Sequence, residues 1–396
     1  MTLDQCRWVS ERLDIKIRTA ASSDLGGLGL AIRENLRRTQ LLVSPPLAKH
    51  VPVVPRVAFD AARALAGKVL NLGPLGERAL ALGLAETATG LAELLAAELR
   101  TADYIHSTRF LSGPVRGESF TEVHSHAPDH RLIPDDPEFL RGRRTVVVID
   151  DELTTARTVV NLLEVLARFS KVERVVIACL IDARSKEVGS LLHDFARRHR
   201  CAVEVCSLAE LEVVVGREAP GLAASLPRPG TTSPRPDPIQ GRLHVVEVGR
   251  PPTSGRYGLA PDGIAARARF AELVAEAIHG RFSNELAGQS IHVIGVEEQI
   301  ALPIRVAAAL ERMGSPVVKV NSTTRSPAVV IDEPGYPLRT ELRFTQDGAD
   351  RRIYNTPCGA GWTIVIPDDD GYVSSDLLRQ LPGERIAVRW RDRREE

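Results

Sequence analysis

TVVVIDDELTTARTVVNLLEVL, residues 145–166, is the stretch on which the reading of this chain turns. Val146, Val147, Val148 and Ile149 are all β-branched and apolar, as in a strand buried on both faces. The run ends in two adjacent carboxylates, Asp150 and Asp151. A hydroxyl-rich turn follows, Thr154-Thr155-Ala156-Arg157-Thr158, and then a helix with Val159, Leu162, Leu163 and Leu166 on its apolar face. A helix N-terminus offers free N–H groups and a partial positive charge, so the turn suits a phosphate. Three threonine hydroxyls add donors there without bulk. The carboxylates stand one ribose length away, where they can accept hydrogen bonds from a sugar diol.

Around this unit, apolar runs at 79–86, 102–107, 175–182 and 202–207 alternate with helical patterns at 90–100 and 186–200. Such alternation predicts an α/β fold with a parallel sheet covered on both faces and ligands at the carboxyl ends of the strands. The segment 1–70 breaks the rhythm, with a short strand at 40–44 and then Pro45-Pro46, and reads as a hood beside the sheet. Residues 216–241 hold six prolines and read as a semi-rigid linker without helix or strand. The expected organisation is therefore 1–215 (hood 1–70, core 71–215), linker 216–241 and a second α/β domain at 242–396.

Composition agrees. A chain of 396 residues exceeds one ordinary core, and 43% hydrophobic with 26% charged residues is a globular balance. The 51 basic and 51 acidic residues cancel, which removes any whole-molecule argument for nucleic-acid or membrane binding. Lys occurs only at 16, 49, 68, 171, 186 and 319, so a lysine near a site draws notice. Five cysteines without paired spacing read as small hydrophobes in a reducing compartment. The charged N-terminus lacks a signal-peptide core.

Four hydrophobic residues, two acids and a threonine-rich loop resemble the phosphoribosyl diphosphate (PRPP) motif of type I phosphoribosyltransferases. The resemblance implies Asp150 and Asp151 at the ribose hydroxyls and in the shell of a PRPP-bound Mg²⁺. It places Thr154, Thr155, Ala156, Arg157 and Thr158 around the 5′-phosphate. The family usually has Gly where this chain has Ala156; a positive φ there would strain the loop or reshape it.

Upstream, the strand ending at Glu86 runs into Thr87-Ala88-Thr89-Gly90 and a helix. Taken alone this is an ordinary helix cap; beside the PRPP motif it matches the family's diphosphate loop. Residues 108–144 form a long polar connection where the family has a mobile loop over the diphosphate. The connection has no lysine, so Arg109, Arg116 and Arg131 are the candidate cations for the leaving group, Arg109 foremost. His124, His126 and His130 cluster there with Asp129, and a metal site, a substrate contact and a solvated loop all stay open.

Four further segments narrow the resemblance: LLVSPPLAKH (41–50), GLAETATGLA (83–92), YIHSTR (104–109) and STTRSP (322–327). Together they are similar to the phosphoribosyltransferases with a C-terminal TRSP domain from bacterial tellurium-resistance gene clusters. That implies phosphoribosyl transfer from PRPP to a small-molecule acceptor in the cytoplasm, in a nucleoside-like biosynthetic or stress-response pathway. No nucleic-acid or membrane partner is implied, and a homodimer is compatible. Lys49, His50, Asp182 and Arg325 become expected acceptor contacts, although 41–50 is equally a surface turn. A PRPP-sensing regulator and a ribosyl-phosphate hydrolase or phosphorylase are the rival readings.

The halves also resemble each other. Residues 83–100 match 295–312, 102–110 match 317–327, and 145–152 match 363–370, but no threonine-rich loop follows Asp370. Either the second domain is a degenerate copy, or short αβ segments agree by chance. Set off by the proline-rich linker, it should fold alone, and without the phosphate loop it should bind product, acceptor or partner rather than PRPP.

Overall fold

The computed structural model describes residues 4–19, 26–35, 39–109, 117–121, 129–184, 189–226, 241–315, 317–356 and 361–391. The first half opens with α1 (Asp4–Arg12), β1 (Ile15–Thr19), β2 (Gly29–Ile32) and β3 (Gln40–Val43). α2 (Pro55–Asn71) leads into β4 (Leu80–Gly83), α3 (Thr89–Leu99) and β5 (Asp103–His106). Next come β6 (Glu118–Thr121), β7 (Asp129–Leu132), β8 (Thr145–Leu153), α4 (Arg157–Leu166) and β9 (Arg174–Asp182). α5 (Gly189–His199), β10 (Ala202–Val215) and α6 (Ala219–Ser225) close this half. The second half contains β11 (Leu243–Val248), α7 (Pro261–Leu286), β12 (Ser290–Gly295), α8 (Ala301–Arg312) and β13 (Val317–Ser322). It ends with β14 (Glu341–Gln346), β15 (Ala349–Tyr354), β16 (Trp362–Ile366), α9 (Ser375–Gln380) and β17 (Glu384–Trp390).

The first sheet has the order β1-β10-β9-β8-β4-β5, parallel except for β1. β8 shows why its sequence is apolar throughout. Val146 and Val148 join a core with Leu162 and Leu163 of α4 and Phe195 of α5, whereas Val147 and Ile149 join another with Leu65 of α2 and Leu95 of α3. A strand covered on both faces has no solvent side to mark with polar residues.

Three expectations change. The segment 1–70 does not sit apart, because β1 pairs with β10 (Ile15 opposite Val215) and α2 covers the sheet. That pairing also carries β10 well beyond the expected end at 207. The proline-rich stretch is not devoid of structure: α6 buries Ala219 and Ala223, and Pro220 sits in its first turn, where no N–H is needed. Residues 227–240 lie outside the described residues.

The second sheet is parallel, ordered β11-β17-β16-β12-β13. Its β13-β12-β16-β17 repeats the order β5-β4-β8-β9. A hairpin sits between the same strands in each, β6–β7 in one and β14–β15 in the other. The bridge Thr108–Arg131 has its counterpart in Thr324–Arg352. Register corrects one match: Ile149 lies level with Gly83, and Ile366 with Gly295, so Asp151 corresponds to Asp368 and Asp150 to Pro367.

The halves meet reciprocally. Val53, before α2, bridges Val320 of β13, while Leu259, before α7, bridges Tyr104 of β5. Such exchange of equivalent contacts is what a two-fold pairing of like folds produces. One core continues from α2 and α3 into Val274 of α7, Ile304 of α8 and Val293 of β12. The expectation of a separate C-terminal core fails on this point. Among the described residues no helix is long and apolar enough to cross a membrane.

Candidate functional site

A cleft opens at the carboxyl ends of β4 and β8. The end of β8 (Asp150, Asp151), the turn after it (Thr154, Thr155, Ala156) and the start of α4 (Arg157, Thr158) form its floor. Glu86, Thr87, Arg109 and His130 make one wall, and Arg33, Leu41 and His50 another. The second half closes it with Thr324, Arg325, Ser326 and Pro327.

The loop adopts the conformation that the sequence left conditional. Ala156 is the N-cap of α4 at φ 55°, ψ 3°, in the left-handed region. For an L-residue this costs about 1–2 kcal/mol, the strain expected where Gly is replaced. No side chain caps α4, so its first N–H groups are not claimed by a capping oxygen. Thr87 Oγ1 donates to Asp151 Oδ2 at 2.8 Å, tying the end of β4 to the acidic pair, and Asp150 Oδ1 accepts from the Asp151 N–H at 2.9 Å.

Glu86 lines the cleft with its carboxylate already engaged. Lys49 Nζ lies 2.7 Å from Glu86 Oε1 and also donates to the Glu297 carbonyl at 2.7 Å. Burial alone would raise the Glu86 pKa, but the Lys49 ammonium, with Arg109 and a hydrogen bond from Thr324, holds it below the usual carboxylate range. Lys49 is fully buried and does not line the cleft, so it braces Glu86 and the second half rather than meeting an acceptor. Asp182 is likewise absent from the cleft: Arg184 holds its two oxygens at 2.8 and 2.6 Å.

The expected diphosphate loop divides. Thr87 faces the cleft, but Ala88, Thr89 and Gly90 do not. Thr89 Oγ1 donates to the Glu298 carbonyl at 3.0 Å, and a Cβ on Gly90 would meet the Ile300 side chain at 2.4 Å. The small residues there admit the second half of the chain rather than an anion.

Arg109 donates from Nη2 to His130 Nε2 at 2.9 Å, and His130 Nδ1 lies 2.9 Å from Ser107 Oγ. Thr108 and Arg109, just beyond β5, are fixed from the second half, since Glu298 accepts from the Arg109 N–H (2.9 Å) and from Thr108 Oγ1 (2.7 Å). Arg131 pairs with Thr108 through its backbone and lies outside the cleft lining. Arg116, His124 and His126 lie outside the described residues.

By strand register, Glu298 corresponds to Glu86 and Arg325 to Arg109. The second half's counterpart site is filled by its own side chains. Arg256 contacts Glu298 at 3.3 Å and Asp369 at 3.9 Å. Gln299 donates to Asp369 (2.7 Å) and accepts from Arg267 (2.8 Å). Arg256, Arg267, Glu298 and Gln299 are buried, and Asp369 is partly buried.

Sequence reading missed Arg33, Leu41, His130 as an arginine partner, and the crossing of 324–327 to the phosphate loop. The Thr-Arg-Ser-Pro run was visible as a family mark. Nothing local in it, however, points to a phosphate loop in the other half of the chain, with Thr155 and Arg325 so far apart in sequence. Leu41 lies within a segment singled out for its resemblance; Arg33 had no signal.

Two family models match the chain. Residues 28–212 match that of a phosphoribosyl transferase, and 253–377 match that of the TRSP domain found C-terminal to it. No curated protein matches the sequence. Among solved structures, the adenine phosphoribosyltransferase from Rhodothermus marinus is 16% identical, over 52% of this chain and 97% of that one, with a TM-score of 0.30. The enzyme from Giardia lamblia, complexed with 9-deazaadenine, is 14% identical over 45% and 93%, with a TM-score of 0.32. A hypoxanthine phosphoribosyltransferase from Staphylococcus aureus is 15% identical over 34% and 67%, with a TM-score of 0.24. In its two matched regions and their order, the chain belongs to the phosphoribosyl transferase family whose transferase domain is followed by a TRSP domain.

Proposed function

We propose that this chain transfers the phosphoribosyl group of PRPP to a small-molecule acceptor and releases diphosphate. The observation that carries the reading is the left-handed turn at Ala156, which opens an uncapped helix end directly after Asp150 and Asp151. Thr154, Thr155 and Thr158 hold the 5′-phosphate with the first N–H groups of α4. Asp150 and Asp151 accept from the ribose hydroxyls. Thr87 and Arg109 hold the diphosphate, with Glu86 kept in place by Lys49. Arg325 and Arg33, which line the same cleft, belong to the acceptor side.

As diphosphate departs, the ribose becomes oxocarbenium-like, and the site must fix the ring and exclude water. Two carboxylates are too few for a resident magnesium cage, but they suit an ion that arrives on substrate phosphates, so the donor set fits Mg²⁺ bound with PRPP. When bound, Mg²⁺ neutralises charge on the departing diphosphate. The setting proposed is a cytoplasmic, nucleoside-like biosynthetic or stress-response pathway such as tellurium resistance.

Diphosphate release from PRPP and Mg²⁺ with a panel of acceptors tests the reading. Release that requires an acceptor is the expected result. PRPP cleavage without any acceptor would indicate a hydrolase, and tight PRPP binding without turnover across the panel would indicate a sensor.

A further inference from the structure

His50 is the buried polar side chain on the cleft wall that the assignments above leave without a task. The residue is 3% exposed, and neither Nδ1 nor Nε2 has a hydrogen-bond partner. Orphaned ring nitrogens in such a place are costly unless something else satisfies them. Its neighbour Lys49 is fully used, by Glu86 and by the Glu297 carbonyl.

The backbone around His50 is fixed on both sides. Before it, Ala48 is left-handed at φ 46° and its N–H donates to the Pro45 carbonyl; after it, Val53 pairs with Val320 of β13. The ring lies against Tyr354, with centroids 6.0 Å apart. His50 is therefore a held imidazole in the wall of the cleft that Leu41 and the 324–327 segment also line.

The charged groups facing the ring are Lys49 and Arg33 on one sign, and Glu86 and Asp151 on the other. Burial, then Lys49 and Arg33, push its pKa down to about 4. The resting side chain is thus neutral near pH 7, with a lone pair to offer. The two carboxylates work the other way, favouring the imidazolium once a proton arrives.

We propose that His50 accepts the proton that the acceptor's attacking nitrogen gives up as it bonds to C1′. This rests on the phosphoribosyl-transfer reading above. The acceptor nitrogen's lone pair forms the bond to C1′ while the C1′–O bond breaks, its electron pair leaving on diphosphate. The nitrogen becomes cationic, and its proton passes to a free imidazole nitrogen of His50, from which solvent later removes it. A cationic N–H is acidic, so a weak base suffices.

Full-length wild type, His50→Gln and His50→Asn are compared by diphosphate release with N–H heterocycles and by calorimetric titration with PRPP and Mg²⁺. The Asn variant keeps a short polar group at the Nδ1 position and guards against misfolding of the Gln variant. Both variants are expected to bind PRPP within about twofold of wild type while kcat falls on the order of 10²–10⁴-fold. The low-pH limb of the wild-type kcat profile should be absent from the residual activity of both. Unchanged kcat in a variant that binds PRPP overturns the His50 assignment alone, as does a variant profile that keeps the wild-type limb. Wild-type PRPP binding without acceptor-dependent release overturns the transfer reading and this proposal with it.

Discussion

At the scale of single residues, Ala156 shows how a departure from a sequence pattern can be read as strain. The turn needs φ near 55°, and the chain supplies alanine where glycine would be unstrained. Ala156→Gly should raise stability by about 1 kcal/mol if the loop keeps its path, with the loss of Ala's restriction of the unfolded chain reducing the gain. Urea unfolding and PRPP titration check this, and weaker PRPP binding would mean that the Ala methyl is part of the loop's packing. The acid pair and the threonines were legible because strand, carboxylates and helix cap are contiguous in sequence. Lys49 was noticed for its rarity but misassigned, because sequence cannot tell a buried brace from an exposed ligand contact.

At the scale of elements, the ends of β4 and β12 bring two carboxylates together beneath the cleft. Burial and the nearby Glu86 push Glu297 up from 4.5 to about 7, despite the close contact with Arg351. The folded chain thus holds the Glu297 proton more tightly than the unfolded chain across that window. Stability contributed by this group is therefore lost as pH rises through it. Glu297→Gln should flatten the fall in unfolding free energy between about pH 5 and 7.5, measured by urea denaturation. An identical pH slope in wild type and variant would remove Glu297 as its cause. Sequence reading found most strands here because buried parallel strands are continuous apolar runs. It cut β10 short because the strand's second half alternates buried Ala209 and Leu211 with exposed Glu210 and Glu212 instead of running apolar, and is held by β1. That partner stands at the opposite end of this half of the chain, as the pairing of Ile15 with Val215 shows.

At the scale of the whole molecule, the chain behaves as two like folds packed through α2 and α3 of one against α7 and α8 of the other, with a threonine-rich loop in the first only. The repeat was visible in short matching segments, but the pairing was not, since Val53–Val320 and Tyr104–Leu259 join points distant in sequence. A fragment from Leu243 onward would expose the α7 and α8 surfaces that share the first half's core, and would strand Arg267 without Glu93. Alone it should be aggregated or unfolded by circular dichroism and sedimentation, while the full chain unfolds in a single transition. A soluble, cooperatively folding fragment would contradict the shared core.

The counterpart cleft in the second half is occupied by Arg256, Gln299 and Asp369, and lacks a threonine-rich loop. One PRPP per chain is therefore expected, bound with Mg²⁺ at the 150–158 loop. Isothermal titration of PRPP with Mg²⁺ into the full chain measures this directly, alongside the folded Asp150→Asn, Asp151→Asn double variant. One equivalent in wild type and markedly weakened binding in the variant is the predicted result; no binding, two equivalents, or undiminished binding in the variant would contradict it.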